Sequence, residues 1–271
     1  MATTQTKPVA KKEGFKGIKS AIWVILACFC IAVCIYKFFL GNGDNFQGGS
    51  NENMPLNIFG TIYKGGVVVP VIQTLLLTVI ALSIERFFAL QTAFGKGSLV
   101  KFVKDIKAAL EANDLAKAQT ICDKQRGSVA NVVGATLKKY HEMEANTVLT
   151  KEQKVLSIQQ ELEEATALEM PSLQENLPII ATITTLGTLF GLLGTVIGMI
   201  KSFSALAAGG GADSTELSVG ISEALINTAF GIGTGSLAVI SYNFYTNKID
   251  HLTYSLDEVG FSIVQTFAST H

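Results

Sequence analysis

The chain has 271 residues, 48% of them apolar and 16% charged, with a formal net charge of −1. That balance is too apolar for an ordinary soluble globule, and with no basic run interleaved with aromatics a nucleic-acid partner is excluded. No nucleophile–base pair, phosphate loop or ligand cluster stands out, so the sequence predicts no enzyme chemistry, no cofactor and no metal.

The apolar residues gather into four runs long enough to cross a bilayer, which takes about 20 residues of helix. They are Ala21 to Leu40, Gly65 to Ile84, Leu177 to Ile200 and Val219 to Tyr245. Lys37 and Glu223 lie inside these runs, and Lys201 closes the third. The first run follows Lys7, Lys11, Lys12, Lys16 and Lys19, but it is too long for a signal-peptide core and no small-residue cleavage site follows. A retained span is expected, and its Cys28, Cys30 and Cys34 read as small hydrophobes.

Lysine and arginine mark the cytoplasmic side of a membrane protein. They crowd residues 1–20 and 85–176, the latter holding Arg86, Arg126 and ten lysines, and they are nearly missing from 41–64 and 207–218. The expected order is a cytoplasmic N-terminus over 1–20, a span over 21–40, a periplasmic loop over 41–64 and a span over 65–84. A cytoplasmic helical domain over 85–176 follows, then a span over 177–206, a periplasmic turn over 207–218, a span over 219–246 and a cytoplasmic tail over 247–271. Gly and Asn in Gly41 to Asn53 argue for a mobile loop, and "AAGGGADS" for a turn of the same kind.

Within 85–176 three apolar stripes recur at helical steps. One runs Leu99, Phe102, Val103, Ile106, Leu110 behind a Ser98 cap and continues through Ala118 and Cys122; the others are Val132, Val133, Leu137, Tyr140 and Val155, Ile158, Leu162. Pro171 and Pro178 then predict a break or kink before the third span, because an interior proline costs a helix about 3 kcal/mol.

The last two spans carry the functional signal. At about 100° per residue, Gly187, Gly191, Gly194 and Gly198 fall on one narrow stripe, which is how membrane helices approach closely without a hydrophobic drive. Thr184, Thr188 and Thr195 form a stripe beside it. The fourth run repeats the design with Gly220, Ala224, Thr228, Gly231, Gly235 and Ala238 on a small-residue face. Glu223, Asn227, Thr234 and Ser241 make a second, polar line, and an ionisable group in a span is a functional-site hypothesis by default. Thr188, Thr195, Glu223, Asn227 and Thr228 are therefore the candidate functional residues.

"GLLGTVIGMIKSF", "GISEALINTAFGI" and "YNFYTNKID" together resemble the ExbB/TolQ/MotA family of ion-driven motor subunits, nearest its ExbB and TolQ branch. The resemblance implies an all-α, polytopic inner-membrane protein with three family-like spans, one extra N-terminal span and both termini cytoplasmic. It also implies a homo-oligomeric ring, a pentamer in the membrane lipid, around an ExbD- or TolR-like single-span partner that carries an aspartate and works with a TonB-like protein. The family's lining threonines and glutamate match Thr195, Thr228 and Glu223, and an ion pathway is what the resemblance implies for them and for Thr188 and Asn227. A TolQ-like envelope role, a MotA-like stator or a passive scaffold are the alternatives. Below Glu223 neither of the last two spans holds a carboxylate or histidine, so the proton-binding group has to come from another chain.

Overall fold

The computed structural model describes residues 21–208 and 214–270, so the basic N-terminus and the glycines of 209–211 lie outside the described residues. Every regular element described is helical, with one isolated bridge between Phe46 and Pro55. Four helical stretches are long and apolar enough to cross a membrane, matching the four runs.

Two compact units divide the described chain. One of them comprises, among the described residues, 21–86 together with Gln174–Lys248. Helix α1, Ala21–Cys34, passes into a π-helical turn, Ile35–Leu40. It leaves Trp23, Phe29 and Ile31 exposed, as a lipid-facing helix does. The Gly41 to Asn53 linker, expected as a mobile loop, is more ordered than its composition suggests. Asn45 donates to the carbonyls of Phe39 and Leu40 and accepts from Asn57, while Phe46 is buried. Asn57 then caps helix α2, Ile58–Lys64, by accepting from Gly60 N. The Asn residues that suggested looseness are the ones whose amides close the turns.

Helix α3, Val68–Phe94, follows and extends well past the apolar run. Leu40, Ile62 and Val69 pack together with Tyr36, Tyr63, Ile226 and Phe230 around them, so the N-terminal hairpin rests on helices of the same unit. Helix α8, Leu177–Ala208, and helix α9, Ser214–Thr270, complete the unit with their membrane portions.

The second unit contains Phe87–Leu173 and Ile249 to the C-terminus. Helices α4, Leu99–Glu111, α5, Leu115–Gln125, and α6, Gly127–Ala145, bury the stripes read from sequence: Phe102, Ile106 and Leu110, then Ala118 and Cys122, then Val132, Val133, Leu137 and Tyr140. Ser98 stands at the head of α4 but makes no side-chain cap bond, whereas Asp114 caps α5 by accepting from Lys117 N. Gly127 enters α6 at φ +84°, where a Cβ would meet Ala93 O at 2.5 Å. Helix α7, Lys151–Gln174, adds Ile158. The expected tail is not a loose end: α9 runs unbroken to Thr270 and buries Leu252, Leu256, Val259, Ile263 and Phe267. Tyr140 meets Phe267 edge-on at 4.9 Å.

The predicted break is placed between the prolines. Pro171 lies inside α7 without ending it, and the helix stops at Gln174. Asn176 takes φ +65°, and Pro178 falls in the first turn of α8, where a missing N–H costs nothing.

Candidate functional site

Helices α8 and α9 form an antiparallel pair held by the absence of side chains. A Cβ on Gly187 would sit 3.0 Å from Gly231 O and Gly235 N, and one on Gly191 3.1 Å from Gly231 Cα. A Cβ on Gly198 would sit 2.8 Å from that of Ala224, and Gly194 receives the side chain of Asn227. On the other helix, a Cβ on Gly231 would sit 2.5 Å from Gly187 O, and one on Gly235 2.7 Å from Thr184 O. Backbones this close gain dispersion and bring carbonyls within reach of hydroxyls.

The threonines divide between self-satisfaction and cross-helix bonding. Thr184 donates to Ala181 O and Thr195 to Leu192 O, both at 2.6 Å, so each hydroxyl is answered on its own helix. Thr228 instead donates across the pair to Gly191 O at 3.1 Å. Gly191 is one turn from Thr195, so the two hydroxyls lie at one level of the pair, within about 6 Å along the axis. Thr195 is partly exposed and lines a shallow, mostly apolar groove with Val196, Met199, Ile200, Phe203, Ser204 and Ala207. Thr188 is half-buried, its Oγ1 3.0 Å from the position of a Cβ on Gly235.

Glu223 is half-buried near the α8–α9 connection, where its carboxylate feels the ammonium charges of Lys64 and Lys201. Tyr36 feels Glu223 in turn, and its hydroxyl donates to Tyr63 O at 2.9 Å. Sequence reading placed Lys201 only at the close of the third run and gave Lys64 and Tyr36 no role. Neither pattern nor spacing reveals that the N-terminal hairpin carries them to this carboxylate.

The middle of the polar line of α9 packs within its own chain. Asn227 is 2% exposed and Thr234 1% exposed. Asn227 donates to Gly65 O at 3.0 Å, and Tyr245 donates to Ser83 O at 2.6 Å. Asn227 thus lies between three segments, against Gly194 on one side and Gly65 on the other, rather than on a surface open to a second chain.

Sequence reading also passed over α3. Thr74 and Thr78 are buried in it, and Arg86, fully buried, clasps Glu85 through Nε at 2.7 Å and Nη2 at 2.5 Å. Asn176 donates to the same carboxylate at 3.3 Å. The signal was present as Thr74, Thr78 and Glu85 at steps of four and seven, one face of an apolar helix.

The second unit holds a groove of about 1480 Å³ whose lining mixes Arg126, Lys138 and Lys139 with Glu142, Glu161 and Glu169. Beside it, burial pushes the Cys122 thiol up to about 12. Among the described residues no group of His, Cys, Asp and Glu is arranged to hold a metal ion.

Residues 127–258 match the MotA/TolQ/ExbB proton channel family. The chain belongs to this family. It is 27% identical over 194 residues to the Tol-Pal system protein TolQ of Pseudomonas aeruginosa, covering 67% of this chain and 81% of that protein. It is 34% identical over 187 residues to the biopolymer transport protein ExbB-like 1 of Synechocystis sp., covering 66% of each. It is 37% identical over 81 residues to the biopolymer transport protein ExbB of Helicobacter pylori, covering 30% of this chain and 56% of that one. The protein is accordingly a multi-pass inner-membrane subunit of the ExbB/TolQ type, in a family of channel and transport subunits rather than enzymes.

Proposed function

We propose that the protein is the ExbB-like subunit of a motor driven by the proton-motive force, which energises TonB-dependent transport across an outer membrane. Copies of the chain close into a ring, a pentamer, around the membrane helices of an ExbD- or TolR-like single-span partner. Both termini and residues 85–176 face the cytoplasm, as the distribution of lysine and arginine requires.

The observation that carries this reading is the shared level of Thr195 and Thr228, with Thr195 opening on a mostly apolar groove of α8. Hydroxyls solvate or relay a proton but do not store one, so the cycle needs an acid from outside the chain. An aspartate on the partner, brought to that level, completes it. Ionised, the aspartate is held against the hydroxyls; neutral, it passes the apolar wall made by Val196, Ile200 and Phe203. Glu223, near the connection between α8 and α9, handles protons at the mouth. Each elementary charge crossing about 100 mV releases about 2.3 kcal/mol, so a few protons supply a mechanical stroke.

Thr195→Val and Thr228→Val are each expected to abolish proton-motive-force-dependent uptake while the complex still assembles by native mass. Unchanged uptake in both variants would remove the ion-path role and leave a passive scaffold. The extensive match to a TolQ favours an envelope-maintenance system as the second reading. Detergent and vancomycin sensitivity on deletion, with siderophore uptake intact, selects it.

A further inference from the structure

Helix α2 does not stand above the first span but lies beside its last turns. Tyr63 stacks on Tyr36 at 4.7 Å and its carbonyl accepts from the Tyr36 hydroxyl, while Phe59 meets Phe39 edge-on at 5.2 Å. Ile62 packs with Leu40 and Val69. Gly65, which follows α2 directly, accepts from Asn227, one turn along α9 from Glu223. The first span, Ala21–Leu40, has 20 residues and rises about 30 Å, the thickness of a bilayer's hydrocarbon core. Tyr36, Phe39 and the helix packed on them therefore belong to the boundary of that core rather than to the water beyond it.

At that level the hairpin shows an apolar surface left uncovered by the other described residues. Phe38 is 79% exposed, Leu56 61% and Ile58 72%, with Phe39 and Phe59 also exposed. Its polar residues gather elsewhere. Gln47, Ser50, Asn51, Glu52 and Asn53 are exposed at the tip, whereas the side chains of Asn45 and Asn57 bond one another. Large apolar side chains exposed together mark a contact surface, and two observations choose lipid over a second protein. The surface continues that of α1, whose apolar window is only 11% buried. Its members are also all large, with none of the small residues through which helices meet in a bilayer, as α8 and α9 do.

We propose that Phe38, Phe39, Leu56, Ile58 and Phe59 form an interfacial membrane contact, seated in lipid where headgroups meet acyl chains on the side of the bilayer that carries the α8–α9 connection. Residues 54–64 are then a membrane-surface element instead of a loop in water, and the tip at 47–53 is the part that meets water. Elements seated this way sink their apolar face about 5–10 Å into that boundary, where aromatic rings are favoured. The contact ties the leaflet to the Glu223 end of α9, because Lys64 closes α2 near Glu223 and Gly65 is held by Asn227. It needs neither a ring nor a partner, and so goes beyond the motor reading without resting on it.

The test is spin labelling of single cysteines in the full-length protein in lipid nanodiscs, with Cys28, Cys30, Cys34 and Cys122 replaced by alanine. Oxygen, which partitions into lipid, and a water-soluble nickel chelate are the two relaxing probes. Labels at Leu56→Cys and Ile58→Cys are expected to give an oxygen-to-nickel collision ratio about threefold or more above that at Gln47→Cys on the polar tip, approaching that at Phe29→Cys on α1. Any smaller excess over Gln47→Cys would overturn the proposal, and so would weak collision with both probes, which marks a surface covered by a second protein chain. Phe59→Trp in a Trp23→Phe background, which removes the chain's one native tryptophan, repeats the decision without a label. Quenching by lipid brominated high on the acyl chain supports the contact; quenching by aqueous iodide alone, or by neither, overturns it. Unchanged uptake in Thr195→Val and Thr228→Val bears on the motor reading and leaves these results untouched.

Discussion

The two units solve the problem of packing helices in opposite ways. In the unit built from α4 to α7 and the end of α9, contacts are made by large side chains. Ile106, Tyr140, Ile158, Leu252 and Phe267 are all buried, and Tyr140 stacks edge-on with Phe267. In the α8–α9 pair, contacts are made where side chains are missing, backbone against backbone at Gly187, Gly191, Gly231 and Gly235. Water explains the difference. It expels apolar area at about 25 cal/mol per Å², so a large side chain is rewarded for burial, whereas lipid tails are as apolar as leucine and reward only close fit. The same α9 helix obeys one rule along its first half and the other along its last turns.

Phe267→Ala probes the water-driven side and is expected to have the largest effect, a loss of about 3–5 kcal/mol in the second unit, read by the urea dependence of its tryptophan-independent circular dichroism. Gly231→Ala probes the other side. The added carbon meets two backbone groups of α8 that cannot step aside, so a loss of about 1–3 kcal/mol is expected, measured as a lower melting temperature in nanodiscs. Gly233→Ala, two residues along, meets nothing within 4 Å and is expected to be neutral or stabilising by up to about 1 kcal/mol. If both glycine variants behave alike, close fit is not what holds α8 to α9.

Burial in the second unit also has a pH signature. Cys122 stays protonated in the folded state until about pH 12, while in the unfolded chain a thiol ionises near pH 8.5. Between those values the unfolded state has lost a proton that the folded state keeps, so stability falls as pH rises, by at most about 1.4 kcal/mol per unit. Cys122→Ala is expected to flatten that dependence above pH 9, and an unchanged slope would place the titrating group elsewhere. The smallest effect belongs to Lys107 and Glu258, an ion pair at 2.5 Å more than a third exposed on both sides. Lys107→Met is expected to cost about 0.2–1 kcal/mol, with the difference vanishing in high salt.

Much of this was legible in the chain itself. The four spans follow from run length, and the glycine stripe follows from helical period, because both are local properties of α-helix geometry. The polar unit's stripes were legible for the same reason, and Leu252, Leu256, Val259, Ile263 and Phe267 carry the same period, although the chain after residue 246 was read as a tail. The turns of 41–57 were not legible, since Asn45 and Asn57 promise a loop until they find each other and the carbonyls of Phe39 and Leu40. The two lines on α9 were visible as lines, but what each one faces was not. Thr228 turned out to bond α8, and Asn227 and Tyr245 to bond the segment from Gly65 to Ser83.

By itself, then, the sequence determined how many helices cross the membrane, where small residues permit close approach, and which positions carry hydroxyls or a carboxylate. Those are fixed by residue type and by the 3.6-residue turn, which act over a few neighbours. Tertiary structure alone decided which helix meets which face: that Glu223 shares its surroundings with Lys64, Lys201 and Tyr36, and that Asn176 bonds Glu85. Such pairings join residues far apart in the chain, and no local rule of spacing specifies them.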